Sequence, residues 1–346
     1  MTLDADFETL SLDTERPFTI ARGTTETVEY PLVRISDGEG NEGIGGAAPA
    51  RHYGETAETV AAVLPDLLDA VAEVGDPHAL ARIERRLAEV VQRNPAARGA
   101  VSVALHDLAA KRAGLPLYRL WGLDPDRAPE TSYTVGLDDV ETMANHAREA
   151  VDRGFSTLKV KLGTDRDREI VRTIRSAAPD AALRVDANEA WSRAEAVRMA
   201  EFLADFGVEL LEQPVPADEP DALRRVYEAS PLPIAADESC IRLPDVPAVA
   251  DRADVIVIKL SKCASLREAR RMIHAAEANG LDAMLGCMVE ANPSIAAMAH
   301  LAPLATYADL DGSLLLDDDP FDGVPMPDGE IDLAALDSPG TGVRER

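Results

Sequence analysis

Five charged residues recur at a nearly constant step: Lys161, Asp186, Glu212, Asp237 and Lys259, spaced 25, 26, 25 and 22 residues apart. Each closes a short apolar run, TLKVK, ALRVD, VELLE, PIAAD and DVIVIK. One strand, one helix and two short loops take roughly 25 to 30 residues, so the step is that of consecutive βα units. When such units close into a barrel, the C-terminal ends of all strands face one mouth. The pattern therefore places three carboxylates between two amines at a common mouth, with the amines on strands from opposite sides.

Lysine usage strengthens this reading. The chain holds five lysines (Lys111, Lys159, Lys161, Lys259, Lys262), which leaves 30 of its 35 basic residues as arginine. Four of the five fall in two strand-end segments. Lys111 stands four residues after Asp107 on a helical pattern, as a structural partner would. For Lys159 and Lys262 the plainer reading is a solvated strand end.

The rest of the chain fixes the architecture. FETLSLD, ETVEYPLVRIS and GNEGIGGA read as strands, followed by helical patterns near 55–72, 78–92 and 95–113. Residues 1–125 are expected to form an α+β capping domain. Residues 126–316 carry the βα alternation, from TSYTVG through TLKVK to a weak last unit, TYADL. Residues 317–346 are loop-like and are expected to return to the first domain. The fold class is α/β, a barrel of the TIM type with a cap.

Charge narrows the partners. The chain has 62 acidic and 35 basic residues, a formal charge of -27. This argues against nucleic acid and anionic membranes, which need clustered Lys and Arg. It suits a halophilic surface, where salt screens the repulsion between acids. MTLDADFETL lacks the basic start and apolar core of a signal peptide, so a soluble, cytoplasmic protein is expected. Cys240, Cys263 and Cys287 have no paired spacing, and the six histidines are scattered. Oxygen ligands without histidine favour a hard cation such as Mg²⁺.

Asp186, Glu212 and Asp237 can converge on one octahedral cation and leave room for a substrate carboxylate. Polarising that carboxylate eases loss of the adjacent α-proton and stabilises the enediolate that results. Lys161 and Lys259 then serve as bases on the two faces of the carbon, a route to inversion. A lysine base needs its pKa lowered, and Lys159 on the same strand face is expected to help by like-charge repulsion.

These residues resemble the enolase superfamily, in its muconate-lactonizing subgroup. The resemblance is carried by KVK at 159–161, DANEAW at 186–191, EQPV at 212–215, ADES at 236–239 and IKLSK at 258–262. PFTIARG and RHYGET resemble the capping loops. The family implies a modified (β/α)7β barrel under an α+β cap, Mg²⁺ on Asp186, Glu212 and Asp237, and Lys161 and Lys259 as acid/base groups. GCMVEAN and the DLD of Asp309–Asp311 resemble dipeptide epimerases, in which such an Asp pair binds the free α-ammonium of the substrate. Thr134, Lys159 and Cys287 would line the same pocket.

The resemblance points to a dipeptide as the small-molecule substrate, inverted at the α-carbon of its C-terminal residue. A muconate-type cycloisomerase and an o-succinylbenzoate synthase/N-acylamino acid racemase stay open; their substrates lack the ammonium that Asp309 and Asp311 would face. A Schiff-base aldolase would need one buried lysine and no carboxylate ladder. A metal-binding barrel without activity would not need the lysines. The dipeptide is not fixed: Ala-Glu is the best-known activity by resemblance, and Arg22 suits a Glu side chain. Arg22, Tyr53 and Glu55 can each face substrate or solvent, and a homo-oligomer is open.

Overall fold

The computed structural model of the protein describes residues 3–346. Met1 and Thr2, which begin the acidic N-terminus and the first expected segment, lie outside the described residues.

Strands β1 (Asp4–Ile20), β2 (Gly23–Ser36) and β3 (Glu42–Gly46) form an antiparallel sheet in that order. β1 is far longer than FETLSLD. Its register with β2 slips between Asp13 and Phe18, where Pro17 has no N–H to give the ladder, and pairing then resumes to the turn at Ala21–Arg22. Helices α1 (Ala57–Val74), α2 (Leu80–Val90) and α3 (Pro95–Ala113) follow close to the expected spans. Thr56 caps α1 through the Thr59 N–H, and Pro95 opens α3, where a missing N–H is harmless. α3 is buried from Ala96 to Ala110 apart from half-buried Arg98, between β3 and the barrel segment Leu260–Cys263. Its small residues permit this. A Cβ at Gly45 would stand 2.2 Å from the Ala100 carbonyl oxygen, so strand and helix backbones are in direct contact there.

The barrel consists of eight parallel strands in sequence order: β4 (Tyr133–Val135), β5 (Thr157–Lys161), β6 (Ala182–Asp186), β7 (Val208–Glu212), β8 (Ile234–Ala236), β9 (Val255–Ile258), β10 (Asp282–Gly286) and β11 (Tyr307–Asp309). Helices such as Asp167–Ala177 lie between them and bury a stripe, here Ile170, Val171 and Ile174, against the strands. The ring is nearly closed by the segment before β4, where the Ser132 N–H donates to the Ala308 carbonyl at 3.1 Å. No full helix follows β11. After a 3₁₀ turn at Gly312–Leu315 the chain returns to the cap, where the Asp317 N–H donates to the Asp13 carbonyl at 3.0 Å. The result is a (β/α)7β barrel. Further on, Thr341 donates its N–H and hydroxyl to Asp107 of α3, so the last residues pack on the cap. Among the described residues, no helix is long and apolar enough to cross a membrane.

The excess of acids makes a stability prediction. With 62 acidic against 35 basic residues, repulsion opposes the compact state. The melting temperature is expected to rise between dilute buffer and molar KCl as screening shortens that repulsion. A melting temperature that is flat or falls with added salt would contradict this view of the surface.

Candidate active site

Alternation along β5 determines what enters the barrel. Leu158 and Val160 face the helices, while Lys159 and Lys161 face inward. The register then sets Lys161 beside Asp186, and Asp186 beside Glu212. Asp237 follows β8 and Lys259 follows β9, so five neighbouring strands contribute to one constellation, with the two lysines four strands apart around the ring. All three carboxylates are 0% exposed. Lys161 Nζ donates to Asp186 Oδ2 at 2.6 Å, and Lys259 Nζ to Asp237 Oδ2 at 2.7 Å. A side chain at Gly286 would crowd the Lys259 stem, since a Cβ there meets Lys259 Cε at 3.1 Å.

Lys159 and Lys262 are not solvated strand ends. Both are buried, because each ammonium has a carboxylate to enter. Lys159 Nζ lies 2.8 Å from both Glu212 Oε2 and Asp309 Oδ2. Lys262, in the single turn after Lys259, donates to Asp237 Oδ1 at 2.5 Å. Lys159 and Lys259 are raised rather than lowered by the protein groups around them. Burial alone would lower Lys159 and Lys259, but the carboxylates outweigh it and hold both well above the ordinary lysine value: Asp309, Glu212 and Asp186 for Lys159, Asp237 foremost for Lys259. Asp186 and Asp237 are held low against burial by their lysines, whereas burial and the charge of Asp186 push Glu212 up to about 8.

The sequence reading missed the residues that fix these loops. Gln213 is buried; its Oε1 accepts from the N–H groups of Asp237 (3.0 Å) and Ser239 (3.1 Å), and its Nε2 donates to the Val215 carbonyl. It ties the end of β7 to the end of β8. Asn188, Glu189 and Gln213 all have positive φ (43°, 68° and 33°), a conformation that costs about 1–3 kcal/mol per residue and persists only where the surroundings impose it. The Asn188 N–H donates to Asp186 Oδ1 at 2.8 Å, and the Glu189 N–H to the Gln213 carbonyl at 2.8 Å. The signal was present inside DANEAW and EQPV, but only strand-end charges were read from them.

Above the lysines lies a cavity of about 450 Å³, lined by Thr134, Lys159, Lys161, Lys259, Cys287, Asp309 and Asp311 and roofed by the cap. All the site residues read from the sequence line this cavity or stand directly against its lysines. Asp309 accepts from Ser132 Oγ at 2.6 Å, and Asp311 from the Thr134 N–H at 2.6 Å. Burial and the neighbouring Asp309 push Asp311 up to about 7. Glu55 turns out to be a helix partner: it is 1% exposed and accepts the Ala96 N–H at 2.8 Å at the start of α3. Tyr53 lines the cavity on the Lys259 side. Arg22, at the β1–β2 turn, has Nη1 2.7 Å from Glu238 and 3.2 Å from Glu189. A substrate carboxylate at Arg22 would therefore share it with two protein carboxylates.

Two places suit a cation differently. His52, Glu189 and Glu238 bring ligand atoms within 4.8 Å of one another at the cavity rim, but the Arg22 guanidinium already lies between the two glutamates. In the ladder, Glu212 is fully buried: its Oε2 faces the Lys159 ammonium at 2.8 Å, while its Oε1 has no hydrogen-bond partner. A buried carboxylate with one oxygen unsatisfied, set between two aspartates, is a hard-oxygen donor set, and it fits Mg²⁺.

Fold and site together define a capped barrel that carries opposed acid–base groups at its strand ends. The chain belongs to the mandelate racemase/muconate lactonizing enzyme family: residues 7–122 match that family's N-terminal domain, and residues 142–345 match the enolase C-terminal domain-like family. It is similar to an L-Ala-D/L-Glu epimerase of Bacteroides thetaiotaomicron, with 39% identity over 327 residues, 94% of this chain and 84% of the relative. An L-Lys-D/L-Arg epimerase of Methylococcus capsulatus is 39% identical over 339 residues, 95% of this chain and 94% of the relative. A dipeptide epimerase from Enterococcus faecalis, solved with Mg and the dipeptide L-Leu-L-Tyr, matches with a TM-score of 0.93 at 33% identity, covering 100% of both chains.

Proposed function

We propose that this protein is a dipeptide epimerase that inverts the α-carbon of the C-terminal residue, with Mg²⁺ held by Asp186, Glu212 and Asp237. The observation that carries the reading is the pair of buried amines, Lys161 and Lys259, opposed across three carboxylates in the cavity that also holds Asp309 and Asp311. The bound cation supplies Lewis-acid stabilisation of negative charge on the substrate carboxylate. Lys161 and Lys259 exchange the α-proton, one on each face. Asp309 and Asp311 take the free ammonium of the N-terminal residue, as two carboxylates suit a group with three donors. The cap excludes water from the carbanionic stage.

Screening free and N-acetylated dipeptide libraries by mass spectrometry in D₂O tests this reading. Deuterium uptake by free dipeptides and little by their N-acetyl forms is expected. Preferential uptake by the N-acetyl forms would favour N-acylamino acid racemisation instead.

The position of Asp311 adds a pH dependence. Burial and Asp309 push its carboxyl up to about 7, so it is ionised above that pH and neutral below it. The raised value means that the charge facing the substrate ammonium is lost as pH falls. KM is therefore expected to rise several-fold, at most about tenfold per unit, between about pH 8 and pH 6. A KM that stays level across that range would remove the Asp311 charge from substrate binding.

A further inference from the structure

The two aspartates of the ladder are held in the same way. On each, Oδ2 faces a lysine of the cavity, Lys161 at 2.6 Å for Asp186 and Lys259 at 2.7 Å for Asp237. On each, Oδ1 is taken by a second protein donor, the Asn188 N–H at 2.8 Å or Lys262 Nζ at 2.5 Å. Glu212 differs, since its Oε2 faces Lys159 Nζ at 2.8 Å and its Oε1 has no hydrogen-bond partner.

Lys262 is fixed independently of the carboxylate it holds. It is 3% exposed, and its ammonium also donates to the carbonyls of Asp237 (2.7 Å), Cys240 (3.0 Å) and Val257 (2.8 Å). Three protons thus serve four acceptors, three of them backbone. The carbonyls anchor Nζ at the ends of β8 and β9, and the carboxylate must orient to it.

We propose that Lys262 is a positioning residue that sets cation selectivity: by holding Oδ1 of Asp237, as the Asn188 amide holds Oδ1 of Asp186, it restricts each aspartate to one ligating oxygen and so favours Mg²⁺ over Ca²⁺. Mg²⁺ demands a strict octahedron of single oxygens, whereas Ca²⁺ takes six to eight and gains from bidentate carboxylates. The positive charge of Lys262 opposes both divalent ions alike, so it cancels in their ratio and leaves the geometric effect. The inference rests on the proposed metal role of Asp186, Glu212 and Asp237.

Calorimetric titration of the metal-stripped protein with MgCl₂ and CaCl₂ tests it, on wild type and on Lys262→Met, which keeps length without a donor. Wild type is expected to bind Mg²⁺ more tightly, and the variant to lose about tenfold of that preference through gained Ca²⁺ affinity. An unchanged ratio in a folded variant overturns this inference and leaves the metal reading intact. Binding of neither cation to wild type overturns the metal reading, and this inference with it. If Lys262→Met does not fold, a crystal structure of Ca²⁺-loaded wild type decides: Asp237 bound through one oxygen supports the assignment, and through both overturns it.

Discussion

Replacing either Lys161 or Lys259 by alanine is expected to abolish epimerisation, with kcat/KM falling by about 10³-fold or more, because in the proposed mechanism each supplies the base on one face of the α-carbon. The two amines come from opposite sides of the ring, and each stands against a different aspartate. Lys159 cannot readily substitute, since Glu212 and Asp309 hold its ammonium at 2.8 Å each. Each variant keeps one base, so partial reactions should separate them. One variant is expected to exchange the α-proton of the L-configured C-terminal residue with D₂O without inversion, and the other that of the D-configured residue. Either single variant interconverting epimers at near wild-type rate would exclude the two-base mechanism.

Removing the cation should have an effect of similar size. Treatment with EDTA is expected to abolish turnover, and Mg²⁺ to restore it. Asp186→Ala, Glu212→Ala and Asp237→Ala should each lower kcat by at least about 10²-fold through lost electrostatic stabilisation. Stability gives a second readout at Glu212. It is fully buried, and burial with the Asp186 charge outweighs the Lys159 ammonium at 2.8 Å and disfavours its ionised form. Metal-free Glu212→Gln is therefore expected to melt at or above metal-free wild type. Full turnover in a metal-stripped sample would exclude the ladder from the chemistry.

What could be read from the chain follows from how local each signal is. The barrel was legible because every βα unit repeats one apolar run and one strand-end charge, and strand period alone turns Lys159 and Lys161 to the same side. The weak last unit is weak for a physical reason: β11 has three residues and relies on Thr131 and Ser132, about 175 residues earlier in the chain, to help close the ring. Lys262 was ambiguous because K-x-x-K across a strand end fits a solvated turn as well as one folded back under Asp237. Gln213 acts through side-chain bonds to the next strand end, and its own positive φ is one that no propensity favours. The cap–barrel contacts were beyond reach: Glu290 accepts the Ala48 N–H at 3.1 Å, and Arg22 meets Glu238, pairings between residues remote in sequence. The long β1 was cut short by TERPFT, where alternation lapses at Pro17 although the strand continues.

The central claim is that one cavity removes and returns a proton at the α-carbon of a C-terminal residue. Proton NMR of an L,L-dipeptide substrate from the library screen, incubated in D₂O with wild-type protein and Mg²⁺, tests it most directly. Loss of the C-terminal α-proton signal together with appearance of the L,D-epimer is expected, while the N-terminal α-proton is retained. Exchange at the N-terminal α-carbon, or epimer formed with its original C-terminal proton still in place, would contradict it.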